Sequence, residues 1–147
     1  FVMGLLVHQS GATLTGIDPS DEIIKTALRR NRKYVERKTM RFDCQNVSAM
    51  TFPAESFSRA YTINTVYFWE ELDKPMKEIW RVLKPGGVFI NTLYSNEALS
   101  RFSHTRFGYK RYDARQLTKA GTEVGFAVEA IPILRGMALC YVYRKNG

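Results

Sequence analysis

Polar side chains follow three strand-like segments, at places where a sheet could hold a ligand. Asp18 directly follows a β-branched run, and Asn46 and Asn64 follow two further apolar runs. Because open α/β sheets bind ligands outside the carboxyl ends of their strands, these positions are candidates for ligand contact. A carboxylate accepts hydrogen bonds and donates none, so Asp18 suits a ligand that presents two donors. Asp18 could instead cap the helix that follows it, and the residues alone leave that alternative open.

Acid–base chemistry would need a titratable group beside such a ligand, and few candidates are present. Tyr67, Tyr94 and His104 are the side chains that could act as a general base. A lone histidine in an aromatic and basic stretch is more often a surface residue. We therefore leave the catalytic residues unassigned, with Tyr67 and His104 as the candidates to test.

The histidines and cysteines do not predict a metal site. His8 and His104 are far apart along the chain, and Cys44 and Cys140 lack the close spacing of metal ligands. No Gly-x-Ser-x-Gly run indicates a nucleophilic serine. Both cysteines lie in apolar, strand-like segments, so we expect reduced core residues in a cytoplasmic protein.

The elements that must position these side chains alternate along the chain. Strand-like runs lie at residues 13–17, 39–44, 60–63 and 88–93, with helical segments after the first and third runs and a loop, residues 45–55, after the second. This alternation predicts an α/β fold with a mostly parallel sheet flanked by helices. The closing runs, 126–131 and 139–144, are expected to form a hairpin that gives the sheet an antiparallel C-terminal edge strand. At 147 residues, the chain has the length of a single domain, residues 1–147.

A junction near the middle of the chain joins a predicted helix, residues 69–83, to a buried strand. Pro85 cannot continue a helix, and Gly86 and Gly87 permit the positive φ that a sharp exit requires. Residues 88–90 are a continuous apolar run, which is typical of a strand covered on both faces. The junction therefore predicts a helix–turn–strand unit.

Short-range signals predict the boundaries of two helices and one ion pair. Ser20 or Asp21 is suited to begin the first long helix, and Asp113 is suited to begin a later one. Glu78 and Arg81 are three residues apart, a spacing that places both on one helix face. We expect that pair to be structural.

The chain is basic, with 22 Lys and Arg residues against 14 Asp and Glu residues and a formal charge of +8. Such a charge favours nucleic acid or an anionic substrate as a partner. The basic residues are dispersed, however, and their densest group, residues 29–38, lies at a predicted helix end that a solvated surface explains. No apolar stretch of membrane-spanning length is present, so no membrane partner is expected.

Four motifs together resemble the class I S-adenosylmethionine (SAM) dependent methyltransferase domain of small-molecule methyltransferases. They lie at residues 15–20, 45–57, 61–67 and 81–87. The resemblance extends from about Thr13 to Tyr143 and implies a Rossmann-like sheet with SAM as the cofactor. It implies that Asp18 accepts hydrogen bonds from both ribose hydroxyls of SAM and that the adjoining Pro19 belongs to the cofactor site.

The resemblance also assigns cofactor roles to residues after the next strands. Asn46 stands where the family has an aspartate that accepts from the adenine amino group, and Val47 would supply a main-chain donor to the ring. Asn64 would line the methionine part of the cofactor. Tyr67 and Trp69 could border the acceptor pocket or pack only on the neighbouring helix. Residues 96–111 occupy the position of acceptor-binding elements and would suit an anionic or aromatic acceptor.

The family's first strand and its glycine-rich loop have no counterpart in this sequence. Upstream of Asp18 the glycines are Gly4, Gly11 and Gly16, which form no Gly-x-Gly pattern. We therefore expect an N-terminally incomplete domain that lacks its first strand and binds SAM poorly as the isolated 147-residue chain. Two central strand edges would then lack partners, and a homo-oligomer could form through them.

The sequence therefore predicts a SAM-dependent methyltransferase that positions a small-molecule acceptor and needs no metal. Two alternatives stay open. One is a methyltransferase-like module without activity that serves oligomerisation or partner binding. The other, which the charge motivates, is an RNA-binding or RNA-modifying domain, whose affinity should depend strongly on salt.

Overall fold

The computed structural model describes residues 11–101 and 108–147. The chain divides into two compact units, residues 1–51 (unit 1) and 52–147 (unit 2). Each unit is described by itself.

Unit 1 is a β–helix–β arrangement. Its strands are β1 (Leu14–Asp18) and β2 (Met40–Cys44), with helices α1 (Asp21–Arg30) and α2 (Arg32–Glu36) between them. The strands run parallel, and Asp18 is opposite Cys44 in the register. The carboxyl ends of both strands therefore lie at the same edge, as the alternating pattern predicted.

Helix α1 begins as its sequence predicts. Ser20 is the N-cap, and its hydroxyl oxygen accepts a hydrogen bond from the Ile23 amide at 3.4 Å. Acidic Asp21 and Glu22 occupy the first turn, where they complement the helix dipole. The alternative that Asp18 caps this helix is therefore wrong, because Ser20 takes that position.

Unit 2 contains the larger sheet and three helices in its described residues. Its elements are β3 (Phe57–Ile63), α3 (Asp73–Val82), β4 (Leu83–Tyr94), α4 (Asn96–Ser100), α5 (Ala114–Glu123), β5 (Phe126–Ile133) and β6 (Ala138–Lys145). Asp113 begins α5 through a reciprocal capping box with Gln116, which confirms the predicted cap.

The four strands of unit 2 lie in the order β3-β4-β6-β5. β3 and β4 are parallel, while β6 is antiparallel to both of its neighbours. The α/β Rossmann-like fold class is thus confirmed. The position of the reversed strand differs from the expectation: β6 lies one strand inside the edge, which β5 occupies, because the last strand folds back between β4 and β5.

Four strand edges are unpaired within the described part of the chain, those of β1, β2, β3 and β5. The predicted missing strand would lie between β1 and β3. The edges of these two strands are the ones through which we predict that a homo-oligomer could form.

The junction between α3 and β4 differs from the predicted helix–turn–strand unit, because β4 begins at Leu83 directly after α3. Pro85, Gly86 and Gly87 lie within the strand, where its pairing with β3 shifts register. Helix α3 begins at Asp73 rather than near Trp69, which has extended backbone angles. Gly86 adopts φ +73°, and a Cβ on Gly87 would lie 2.7 Å from the Lys84 carbonyl oxygen. Both glycines are therefore required, one for its backbone angle and the other for a close main-chain approach.

The last strand also stabilises the end of α3. The Lys145 ammonium donates to the carbonyl oxygens of Trp80 at 3.0 Å and Leu83 at 2.7 Å, and it lies 3.8 Å from the Trp80 ring centroid. A cation at this end complements the helix dipole and satisfies carbonyls that α3 leaves free.

Two further expectations concern cysteines and membranes. Both cysteines are free thiols, but the core position predicted for Cys44 is wrong: it lies exposed at the end of β2, while Cys140 is half-buried. Among the described residues, no helix is long and apolar enough to cross a bilayer.

Candidate functional site

The carboxyl end of β1 presents a carboxylate that is only partly used by the protein. One Asp18 carboxylate oxygen, Oδ1, accepts a hydrogen bond from the Ser20 amide at 2.9 Å. The Asp18 carbonyl accepts from the Gln45 amide at 3.2 Å, which ties β1 to the loop after β2. The second oxygen, Oδ2, has no hydrogen-bond donor within the described residues. Asp18 therefore keeps an acceptor for a ligand.

Pro19 follows in the same turn and is exposed. Its carbonyl oxygen lies 3.5 Å from the Cys44 sulfur, whose thiol can donate to it. The structure thus places Pro19 between the ends of β1 and β2.

The loop after β2 brings Asn46 and Val47 to the same edge of unit 1. The Asn46 side-chain oxygen accepts from the Ser48 amide at 2.9 Å, and its carbonyl accepts from the Ala49 amide at 3.0 Å. The Val47 amide has no acceptor within the described part of the chain. This loop therefore combines an ordered amide oxygen with a main-chain donor that has no acceptor among the described residues, at the end of the strand that pairs with β1.

Asn64, in unit 2, is used very differently. It has a left-handed backbone with φ 56°, and its amide donates to the Thr92 carbonyl at 2.8 Å. Its side-chain oxygen accepts from the Tyr67 hydroxyl and from the Tyr94 amide, both at 3.3 Å. The oxygen that could have faced a ligand therefore joins the ends of β3 and β4, and the amide nitrogen Nδ2 is left for other contacts.

Tyr67 is buried, with 2% of its surface exposed. Its hydroxyl lies 3.3 Å from both the Asn64 side-chain oxygen and the Tyr94 carbonyl. Burial raises the pKa of the Tyr67 phenol to about 12, so it is protonated at neutral pH. This geometry suits a positioning role, in which Tyr67 donates a hydrogen bond.

Two aromatic residues missed by sequence reasoning complete this region. The Phe68 and Tyr109 rings meet edge to face with centroids 5.0 Å apart, and Tyr109 also packs on Tyr67 at 5.3 Å. The Tyr112 hydroxyl donates to the Trp69 carbonyl at 2.9 Å. The run of three aromatic residues at 67–69, directly after a strand end, was the available signal.

The remaining candidates lie apart from these groups. His104 falls outside the described residues. Within residues 11–101 and 108–147, no group of three or more His, Cys, Asp or Glu side chains could hold a metal ion. The basic residues at the ends of α1 and α2 are exposed, and one of them, Arg32, pairs with Glu36 at 2.7 Å.

These features define an α/β domain that presents polar groups at the carboxyl ends of its strands, where such sheets bind small ligands. The sequence model of a family described as "Methyltransferase domain" matches residues 2–91. The chain belongs to this family, and the resemblance to class I SAM-dependent methyltransferases is confirmed.

Individual relatives are similar over part of their length. An uncharacterized methyltransferase, YdaC of Bacillus subtilis, is 31% identical over 94 residues, covering 64% of this chain and 50% of YdaC. The sterol 4-C-methyltransferase strm-1 of Caenorhabditis elegans is 42% identical over 83 residues, covering 54% of this chain and 24% of strm-1. The chain thus spans half the length of the first relative and about a quarter of the second.

A solved structure shows the same fold. Geranyl diphosphate methyltransferase in complex with SAM superposes with a TM-score of 0.77 at 12% identity, covering 98% of this chain and 72% of that protein. At this identity the likeness concerns the fold alone.

Proposed function

We propose that this chain binds SAM and transfers its methyl group to a small-molecule acceptor. The observation that carries the proposal is a pair of hydrogen-bonding atoms without a partner among the described residues, Asp18 Oδ2 and the Val47 amide. An acceptor oxygen at the end of β1 and a main-chain donor in the loop after the paired strand β2 would suit the ribose hydroxyls and the adenine ring of a nucleoside. When bound, SAM would supply an electrophilic methyl group on its sulfonium.

Each predicted residue has an atom suited to its role. Asp18 accepts from the ribose, with Pro19 shaping the same turn, and Asn46 can accept a second donor because an amide oxygen has two lone pairs. Asn64 lines the methionine part through its amide nitrogen, since its oxygen is bound to Tyr67 and Tyr94.

The acceptor side of the proposal depends on positioning. Aligning an attacking atom with the methyl group can supply much of the rate enhancement without a metal. Tyr67 holds the carboxyl ends of β3 and β4 in place through its hydroxyl. The name of strm-1, a sterol 4-C-methyltransferase, supports a small organic molecule as the acceptor class.

Calorimetric titration with S-adenosylhomocysteine tests this proposal, with Asp18→Ala as the variant and Asp43→Ala as the matched control. Asp43 is a carboxylate of the neighbouring strand, 3.7 Å from Arg41. Loss of two ribose hydrogen bonds should raise the Kd of Asp18→Ala at least about tenfold, while Asp43→Ala stays within about twofold of the parent.

The titration is run on residues 1–147, for which we expect weak binding, and on a chain extended by any coding sequence found upstream of Phe1. Micromolar affinity of the 147-residue chain would show that the weak-binding expectation is wrong. The proposed function fails if the extended chain does not bind, or if Asp18→Ala binds as tightly as the parent.

A further inference from the structure

An aromatic side chain is exposed just beyond the carboxyl end of β3. Phe68 is 61% exposed, although it touches Tyr109 edge to face. Ile63, at the end of the same strand, is 45% exposed. Single exposed apolar residues are ordinary, but both of these residues lie at or just after the carboxyl end of β3, where ligands of open α/β sheets bind.

In the pair Phe68–Tyr109, Phe68 is exposed and Tyr109 is half-buried, and ordered contacts support the pair from below. Tyr109 packs on the buried Tyr67 ring at 5.3 Å, and the Lys110 amide donates to the Tyr67 carbonyl at 2.9 Å. The Tyr112 hydroxyl fixes the same segment to Trp69. Two chain segments that are distant in sequence therefore hold the pair in place, so that an apolar ligand would meet a preorganised surface.

The charges around the pair disfavour an anionic ligand. Three acidic residues, Glu70, Glu71 and Asp73, lie two to five residues after Phe68, and two of them pair with Lys74 and Lys77. The cations that follow Tyr109 contact main-chain oxygens: the Lys110 ammonium donates to the Glu70 carbonyl, and Arg111 Nη1 lies 3.4 Å from the Asn96 carbonyl. These four described cations are therefore already engaged by carbonyl or carboxylate oxygens, which disfavours an anionic ligand.

We infer that the pair Phe68–Tyr109 recognises the methyl acceptor and that the acceptor presents an uncharged, apolar group to it. This inference rests on the proposed function, because it names the substrate class of that same site. Residues 96–111 were expected to suit an anionic or an aromatic acceptor, and the described contacts disfavour the anionic one.

Two fluorescent probes that differ by one sulfonate test the inference on the 147-residue chain. N-phenyl-1-naphthylamine is uncharged, and 8-anilino-1-naphthalenesulfonate is its anionic counterpart. We expect the neutral probe to bind at least about fivefold more tightly than the anionic one. The Kd of the neutral probe should rise about five- to tenfold in Phe68→Ala and in Tyr109→Ala, because each variant lacks one of the two aromatic rings.

Conservative variants distinguish the contribution of the aromatic rings to probe binding from other effects of the substitutions. Phe68→Tyr and Tyr109→Phe keep the aromatic surface and should bind the neutral probe within about twofold of the parent. Ile131→Ala is the matched control, since Ile131 is 39% exposed on the edge strand β5, and it should also leave binding unchanged. The inference is overturned if Phe68→Ala binds the neutral probe like the parent, or if the sulfonate is preferred.

A parallel titration of Phe68→Ala with S-adenosylhomocysteine distinguishes this inference from the proposed function. Unchanged cofactor affinity with weakened probe binding supports the acceptor role. If an extended chain binds no cofactor while the neutral probe still requires Phe68, the proposed function fails and recognition of an apolar ligand stands. If the cofactor binds and the probe ignores Phe68, this inference alone fails.

Discussion

Asp18 at the carboxyl end of β1 and Asn64 at the carboxyl end of β3 use their side chains in opposite ways. Asp18 gives one oxygen to the Ser20 amide and keeps the other unused within the described residues. Asn64 gives its oxygen to both Tyr67 and Tyr94. One strand end therefore retains hydrogen-bonding capacity, while the other uses it to join the ends of β3 and β4.

The hydrophobic core of unit 2 is larger than that of the described part of unit 1. In the described part of unit 1, Ile24 and Met40 are the buried hydrophobic side chains, whereas unit 2 buries a continuous set that includes Phe89, Leu117 and Tyr143. Substitutions at the carboxyl end of β3 should therefore mainly lower the free energy of unfolding. Substitutions at the carboxyl end of β1 should mainly weaken ligand binding.

The largest effect is expected for Asn64→Ala. Loss of two hydrogen bonds costs about 1 kcal/mol each, and alanine in the left-handed region adds roughly 1 kcal/mol, so the free energy of unfolding should fall by about 2–4 kcal/mol. Asp18→Ala removes one bond in a half-buried turn and should cost less than about 1 kcal/mol. Urea denaturation of both variants measures the difference.

Asn64→Gly is the control for this prediction. Glycine accepts the φ of 56° without strain, so it isolates the cost of the lost hydrogen bonds. Equal destabilisation by Asn64→Ala and Asp18→Ala would contradict the distinction between the two strand ends.

Alkaline pH should destabilise unit 2 through Tyr67. Burial raises the pKa of its phenol to about 12 in the folded protein, above the value of about 10 for an unfolded chain. The stabilisation is therefore complete below about pH 10 and is lost as the pH rises toward 12, because the unfolded state releases its proton first. Two pKa units correspond to at most about 2–3 kcal/mol.

Unfolding free energies measured from pH 9 to 12 test this expectation. Tyr67→Phe should flatten the decline, although part should remain because burial raises the pKa of Tyr143 as well. Tyr34→Phe, a change on the short helix α2 of unit 1, should leave the slope as in the parent. An unaltered slope in Tyr67→Phe would show that this phenol does not couple folding to pH.

Much of the fold follows from local sequence because the deciding contacts are local. The Ser20 and Asp113 caps each join residues three apart, and Glu78 and Arg81 form the expected ion pair at 2.7 Å within one helix turn. The helix cap formed by Lys145 was not predictable in this way. Its partners lie more than sixty residues away, and only the register of β6 brings them together.

In the candidate site, too, features set by local sequence could be predicted and those set by contacts between distant residues could not. The positions of Asp18, Asn46 and Asn64 after strand ends could be predicted from alternation and motif spacing. The use of the Asn64 oxygen could not, since its bond to the Tyr94 amide spans thirty residues. Phe68 and Tyr109 escaped prediction because their pairing depends on two segments with no shared periodicity.

The smallest expected effect concerns Asn46, where the family resemblance implies an aspartate. Asn46→Asp keeps the side-chain oxygen that accepts from the Ser48 amide at 2.9 Å, so the loop should not change. A charged acceptor forms stronger hydrogen bonds than a neutral one, and S-adenosylhomocysteine should bind about two- to fivefold more tightly. Ser48→Ala keeps the main-chain donor and serves as the control. Weaker binding by Asn46→Asp would mean that the amide nitrogen of Asn46 donates to the ligand, and the adenine contact at this strand end would then have the opposite polarity.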